Sequence, residues 1–147
     1  MTPEKSRKYL PIAEALANLS KDTSTKVGAL ILGPDMEIRS SGWNGAVRGC
    51  SADEDYRFQQ RPEKYYWAEH AERNAIYNAV RVGTPLNNCV LIVTAFPCMD
   101  CARAVVQAGI KEVWAPRPDP EFMTRWKEHI ERACALFDEC GVESFWL

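Results

Sequence analysis

Short apolar segments alternate with segments of helical character through the second half of the chain, and this alternation limits the fold more than any other feature. Cys89 to Thr94 and Ile110 to Trp114 are apolar runs of strand length. Between them, Cys98 to Ala108 has the pattern of a helix that Gly109 ends. Alternating strands and helices predict βαβ units with parallel strands.

The remaining segments complete the prediction of an α/β fold. Gly33-Pro34-Asp35 is a turn signal between two apolar runs, which predicts a β-hairpin. The other predicted elements are strands over Val27 to Leu32 and Glu37 to Trp43, an edge strand over Val142 to Leu147, and helices over Ser6 to Leu19, Glu69 to Val82 and Phe122 to Cys140. The segment from Asn44 to Tyr66 has no clear hydrophobic period, which predicts a loop. A loop of that length more often has a function than none. We therefore expect a mixed five-stranded sheet sandwiched between helices.

Length and charge limit the classes of partner. The chain has 147 residues, of which 46% are hydrophobic, and this favours a single domain over residues 1–147. The formal net charge of -2 argues against a nucleic-acid partner that is bound by broad neutralisation of phosphates. A small anionic substrate stays compatible with this charge, because two or three well-placed cations can hold one phosphate.

The sequence offers no signal for a membrane. No apolar run approaches the ~20 residues that are needed to span a bilayer, and the first residues lack the apolar stretch of a signal peptide. We therefore expect no membrane partner and a cytoplasmic location. The chain holds six cysteines, which in a reducing compartment are better explained by metal binding or catalysis than by disulfides.

Two short motifs carry the chemistry, His70-Ala71-Glu72 and Pro97-Cys98-Met99-Asp100-Cys101. Cys98 and Cys101 are three residues apart at the start of a predicted helix, so their sulfurs share one face. The positive end of the helix lowers thiol pKa values, and we expect both cysteines to be thiolates at neutral pH. Two thiolates are half of a tetrahedral zinc site.

His70 lies near the start of another predicted helix and can supply a third ligand. Three protein ligands leave one position open, which is typical of catalytic zinc. Zinc there is expected to hold a water with a pKa lowered toward ~7, and Glu72 is the candidate to take its proton and pass it on. A lone Cys-x-x-Cys also fits a redox motif or half of a structural zinc site, and a lone His-x-Glu is weak evidence for any function. Together, the two motifs are the signature of zinc-dependent nucleobase deaminases.

The chain resembles the deoxycytidylate (dCMP) deaminase family, within the cytidine deaminase-like superfamily. The resemblance covers roughly residues 20 to 114 and extends beyond the zinc motifs. The matching segments are Ser20-Lys21-Asp22, Thr25-Lys26-Val27-Gly28-Ala29, Gly42-Trp43-Asn44-Gly45, Arg48-Gly49, His70-Ala71-Glu72-Arg73-Asn74-Ala75-Ile76, Pro97-Cys98-Met99-Asp100-Cys101-Ala102 and Gln107-Ala108-Gly109-Ile110. Family members commonly have Phe-Pro between the Asn-Gly and the Arg-Gly, where this chain has Ala46-Val47.

The resemblance implies a cytidine deaminase-like three-layer α/β/α sandwich that hydrolyses dCMP to dUMP and ammonia, in pyrimidine nucleotide metabolism. It implies that zinc-bound hydroxide attacks C4 of cytosine, while Glu72 protonates N3 and later the leaving amine. Asn44 would hydrogen-bond the substrate, and Lys21, Lys26 and Arg48 are the candidates for its phosphate. Family members form closed homo-oligomers, often hexamers, so a homo-oligomer is expected.

Three alternatives stay open at this point. The chain could deaminate another nucleotide or a nucleoside, or it could be a tRNA adenosine deaminase, although such enzymes usually have a basic surface. From a different class, it could be a non-enzymatic, zinc-stabilised binding module. Glu72 argues against that class, because a purely structural zinc site does not require a carboxylate beside an open coordination position. Of the other candidates, Phe96 is expected to line the base pocket or the core, and His129 to be a solvated helix residue.

Overall fold

The computed structural model describes residues 1–50 and 55–147, and their order of elements follows the predicted alternation. The helices are α1 Pro3–Ala17, α2 Tyr56–Gln59, α3 Lys64–Trp67, α4 Ala71–Val82, α5 Met99–Gln107 and α6 Pro120–Cys140. The strands are β1 Gly28–Leu32, β2 Ile38–Trp43, β3 Gly45–Ala46, β4 Ala68–Glu69, β5 Val90–Val93, β6 Glu112–Ala115 and β7 Glu143–Trp146.

A mixed five-stranded sheet forms the centre of the molecule, with the strand order β2-β1-β5-β6-β7. The hairpin of β1 and β2 is antiparallel, and β1 also pairs antiparallel with β5. From β5 onward the strands are parallel, because α5 and α6 carry the chain back to the starting edge before each new strand. The predicted hairpin, the parallel units and the edge strand β7 are all confirmed.

Both faces of the sheet are covered by helices, as the burial of all five residues of β1 requires. Leu30 and Ile92 point to one face, where they lie in a cluster with Ala13 of α1. Ile31 and Leu91 point to the other face, where α4, α5 and α6 pack. The molecule is therefore the predicted three-layer α/β/α sandwich.

Gly42 allows α4 to approach the sheet closely. A Cβ atom at Gly42 would lie 2.4 Å from the backbone nitrogen of Ala75 and 2.6 Å from the carbonyl oxygen of Ala71, so no larger residue fits there. Two residues earlier on β2, Ser40 donates a hydrogen bond to the Ala75 carbonyl at 2.6 Å. These contacts fix the first turns of α4, which carry His70-Ala71-Glu72, against the sheet.

The predicted loop from Asn44 to Tyr66 contains more structure than its sequence indicates, and its residues 51–54 lie outside the described part. β3 pairs with β4 in a two-stranded ladder, and α2 and α3 are single helical turns. Elements this short cannot display a hydrophobic period, so the sequence pattern could not find them. α1 begins at Pro3 rather than Ser6, because Thr2 caps it and a proline is well accommodated at the first helical position. None of the helices in residues 1–50 and 55–147 is long and apolar enough to cross a membrane.

Candidate active site

The two sequence motifs meet at the N-termini of two neighbouring helices. His70 is the N-cap residue of α4, and Cys98 is the N-cap residue of α5. His70 Nδ1 lies 3.5 Å from Cys98 Sγ and 3.5 Å from Cys101 Sγ, and the ligand atoms of the three residues all lie within 4.8 Å of one another. Within the described ranges, no other group of three His, Cys, Asp or Glu residues is close enough to hold a metal ion.

The chemistry of this donor set fits zinc. One imidazole nitrogen and two sulfurs are the ligands that zinc prefers, and three ligands leave the fourth tetrahedral position open. Cys101 is fully buried, Cys98 nearly so, and His70 is half-buried, and both His70 and Cys98 line an adjacent cavity. The residues therefore fit a catalytic zinc ion better than a closed structural one.

In the metal-free site, the pKa values of the two cysteines are shifted in opposite directions. A hydrogen bond from the Cys101 thiol, together with His70, lowers the pKa of Cys98 to about 4. The same hydrogen bond and burial raise the pKa of Cys101 well above its ordinary value. Two bare thiolates in one buried site would repel each other, so one proton stays between them until a metal replaces it.

Glu72 lies in the first turn of α4 and is only 4% exposed. It lines the same cavity as His70 and Cys98, which helix geometry alone could not establish. Burial raises the pKa of the Glu72 carboxyl, and the nearby His70 offsets only part of that effect. A carboxyl whose pKa is raised toward neutrality is suited to accept and donate a proton within one catalytic cycle.

The cavity beside Glu72 combines apolar walls with a few polar groups, as a pocket for a small planar ring requires. Phe96 and Trp126 line it, together with Tyr65 and Phe122. Phe96 is also packed against Phe137 and Trp146, so it serves the cavity and the core at once. The ring centroid of Trp126 lies 6.2 Å from that of His70.

Asn44 lines the cavity, but its side chain also holds the protein backbone. Its Oδ1 accepts a hydrogen bond from the Val27 amide at 2.8 Å, and its Nδ2 donates to the Thr25 carbonyl at 2.8 Å. The segment before β1 is thereby fixed against the start of β3. The predicted contact between Asn44 and substrate stays a prediction, and a carbonyl oxygen with one partner retains a second lone pair for it.

A buried ion pair forms part of the cavity wall, and no sequence pattern predicted it. Lys64 Nζ lies 2.7 Å from Asp22 Oδ2, and the two side chains are 9% and 4% exposed. Asp22 also accepts hydrogen bonds from the amides of Ser24 and Thr25. Burial raises the pKa of Asp22, but Lys64 and the two amides outweigh it, so the net pKa is lowered. The pair fastens α3 to the segment that precedes β1.

The three predicted phosphate ligands do not lie in this cavity. Lys21 and Lys26 line an exposed groove beside Gln59. Arg48 lines another groove and donates a hydrogen bond from Nη2 to Asn78 Oδ1 at 2.7 Å. Their positions follow from the backbone, because the buried Asp22 and the half-buried Thr25 take the inward positions between the two lysines.

Two arginines that the sequence did not single out line the cavity instead. Arg61 lies between α2 and α3, and Arg125 lies in α6, one turn after Phe122. Both are exposed, and among the described residues neither forms an ion pair. A side chain from the irregular segment and one from a helix 64 residues later come together only through the tertiary fold.

The chain matches a known protein family over residues 3–116, the cytidine and deoxycytidylate deaminase zinc-binding region. An uncharacterised deaminase of Aliivibrio fischeri is 39% identical over 142 residues, which are 97% of this chain and 92% of that protein. The deoxycytidylate deaminase of Pongo abelii is 38% identical over 141 residues, which are 91% of this chain and 74% of that protein.

A solved structure agrees with these relatives. The dCMP deaminase of cyanophage S-TIM5, crystallised with dCMP and dUMP, superimposes with a TM-score of 0.79 at 26% identity and covers 100% of this chain and 99% of its own. The match to a zinc-binding region, together with the His70, Cys98 and Cys101 group, identifies zinc as the cofactor. By its sequence motifs, its fold and the match over residues 3–116, this chain belongs to the cytidine and deoxycytidylate deaminase family.

Proposed function

We propose that this chain catalyses the hydrolytic deamination of dCMP to dUMP and ammonia. The observation that carries the proposal is the buried Glu72 in one cavity with His70 and Cys98, which form the candidate metal group together with Cys101. The named relatives from Pongo abelii and cyanophage S-TIM5 support dCMP as the substrate. Ammonia release from dCMP, cytidine, dCTP and a tRNA anticodon stem, measured side by side, tests it. A higher kcat/KM on any of the last three than on dCMP would contradict the substrate assignment.

The roles of the residues follow from their positions. When bound by His70, Cys98 and Cys101, zinc supplies a Lewis acid that makes water nucleophilic at neutral pH. Glu72 accepts a proton from the attacking water and delivers it to N3 of cytosine. Glu72 then takes the remaining proton of the oxygen that was added to C4 and passes it to the leaving amine. The C4–N4 bond breaks, ammonia departs, and C4 keeps the oxygen as a carbonyl.

The sugar and phosphate require contacts of their own. We assign to Asn44 a hydrogen bond with the substrate, and its side chain is already held by the backbone of Thr25 and Val27. For the phosphate we assign Arg61 and Arg125, which line the cavity, in place of Lys21, Lys26 and Arg48. Arginine suits this role because its planar guanidinium binds phosphate with two parallel hydrogen bonds.

Replacing Arg61 or Arg125 with alanine should therefore lower kcat/KM for dCMP by about tenfold to over a hundredfold, since a charge-assisted hydrogen bond contributes roughly 1.5–3 kcal/mol. The same variants should leave the slow reaction with deoxycytidine nearly unchanged, because deoxycytidine has no phosphate to lose. Steady-state kinetics on both substrates measure the two effects.

Lys21→Ala, Lys26→Ala and Arg48→Ala provide matched comparisons, because each removes a cation from a groove outside the cavity. Their kcat/KM values for dCMP should stay close to that of the parent. If these three variants, rather than Arg61→Ala and Arg125→Ala, lose activity selectively on dCMP, the original sequence prediction is right and the assignment to the two arginines is wrong.

Zinc binding should release protons, because Cys101 is protonated in the metal-free site and must ionise to bind the metal. Burial lowers the pKa of His70, but contact with Cys98 outweighs it, so the net pKa is raised and His70 adds a second proton at lower pH. Zinc affinity should therefore increase with pH, by roughly tenfold per unit while Cys101 alone must ionise. Calorimetric titration in two buffers of different ionisation heat counts the protons. Zinc binding without proton release would contradict the protonation states.

We also propose that residues 1–147 form a single domain, located in the cytoplasm, and that copies of the chain form a homo-oligomer, with the hexamer as the favoured size. Apolar side chains on the outer surface of α4 support assembly, since Tyr77, Val80 and Val82 are 45%, 70% and 76% exposed. Light scattering should give a mass that is a multiple of 16.6 kDa. A monomer mass at working concentration would contradict assembly.

A further inference from the structure

The N-terminus of α5, which carries both cysteines, is held by a side chain from another helix. Cys98 occupies the N-cap position but makes no side-chain capping hydrogen bond. The first backbone N–H groups of a helix have no partner within the helix, so they need one elsewhere. The amide of Met99, the first residue of α5, donates to Nδ1 of His129 at 3.2 Å.

This hydrogen bond lies between the two sulfur ligands in the chain. Met99 directly follows Cys98 and is two residues before Cys101. A partner that fixes the Met99 amide thus fixes the turn that brings the two sulfurs to His70. Because Nδ1 accepts, a neutral His129 ring carries its hydrogen on Nε2. The His129 side chain also lines a groove together with His70, Cys98 and Trp126.

Two residues one turn apart on α6 contact the two elements that supply the metal ligands. Trp126 lies one turn before His129, with the ring centroids of the two 5.3 Å apart. The ring of Trp126 also stands edge to face with His70, at 6.2 Å between centroids. α6 thus contacts the imidazole ligand through Trp126 and the cysteine-bearing turn through His129. His129 is half-buried by these contacts, which corrects the expectation of a solvated helix residue.

We propose that His129 is a positioning residue for the zinc site, whose Nδ1 holds the Met99 amide so that Cys98 and Cys101 converge on the metal. The proposal rests on the assignment of zinc to His70, Cys98 and Cys101. It does not depend on the substrate. Groups that support metal ligands from outside typically change metal affinity by 10–100-fold when they are removed.

Two amide substitutions test the proposal. In His129→Asn, Oδ1 is bonded to Cγ, as Nδ1 is in histidine, so it can accept from Met99. In His129→Gln, the acceptor lies one bond further out, near the position of Nε2, and cannot replace Nδ1. The measurement is the rate at which each zinc-loaded protein transfers its metal to a chromogenic chelator at constant pH. We expect the glutamine variant to lose zinc about 10–100-fold faster than the parent, and the asparagine variant to stay close to the parent.

Lys127→Ala is the control, because Lys127 lies on the exposed side of the same helix, with its side chain 66% exposed. It should release zinc at the parent rate. Equal rates for the asparagine and glutamine variants, whether both slow or both fast, would overturn the role of Nδ1. Faster zinc release from the asparagine variant than from the glutamine variant would overturn it as well. Because no substrate is added, faster release from the glutamine variant would support the proposal even if dCMP proved not to be the substrate.

Discussion

Replacing Glu72 with glutamine should lower kcat for dCMP deamination by about 10²–10⁴-fold, the range that general acid–base catalysis contributes. Glutamine has nearly the same shape but cannot accept a proton from water and return it. The side chain is buried and lines the cavity beside His70 and Cys98, so the substitution removes the proton carrier from the place where the reaction needs it. Zinc content and the fold should be unchanged, since Glu72 is not assigned as a metal ligand.

The pH profile separates this role from a loss of structure. The Glu72 carboxyl must be ionised to accept the first proton, so kcat of the parent should fall as the pH drops through its raised pKa. The glutamine variant should lack that decrease. Zinc analysis and thermal unfolding of both proteins serve as controls. A glutamine variant with near-normal kcat and full zinc would show that Glu72 is not the proton carrier.

Replacing Cys101 with alanine should remove zinc from the protein and, with it, nearly all deaminase activity. A site of three protein ligands that loses one retains only Cys98 and His70, and two ligands do not hold zinc against a chelator. The measurement is metal analysis after dialysis against chelator, with about one zinc per chain expected in the parent. Activity on dCMP is followed in parallel.

Cys89→Ala is the matched control, because Cys89 is also a fully buried cysteine but lies directly before β5 and outside the His70 group. Both substitutions remove one buried sulfur, so the loss of packing should be similar. Only the Cys101 variant should lose zinc. Full zinc and activity in Cys101→Ala would show that the ligand assignment is wrong.

The sequence predicted the arrangement of strands and helices because burial on a sheet leaves a pattern along the chain. The apolar runs that became β1, β5 and β6 are buried on both faces, which requires near-continuous hydrophobic residues. Glycine at the ends of α4 and α6 adopts the left-handed conformation that ends a helix, and it marked those ends correctly. Errors were confined to element ends, to the single turns α2 and α3, and to the two-residue strands β3 and β4.

The sequence by itself also predicted the three residues of the metal group. Cys98 and Cys101 share a Cys-x-x-Cys motif at the start of one helix, and His70 begins the His-x-Glu motif at the start of another. Three features depended on the tertiary structure: the place of Glu72 in the cavity, the pairing of Lys64 with Asp22, and the contact of His129 with Met99. The partners in the last two contacts are 42 and 30 residues apart, and neither contact leaves a period or spacing in the chain. Motifs of adjacent residues can be recognised in the sequence because their spacing along the chain is fixed. Whether an exposed cation such as Arg125 lines the cavity depends on how separate elements pack together, which the sequence pattern does not show.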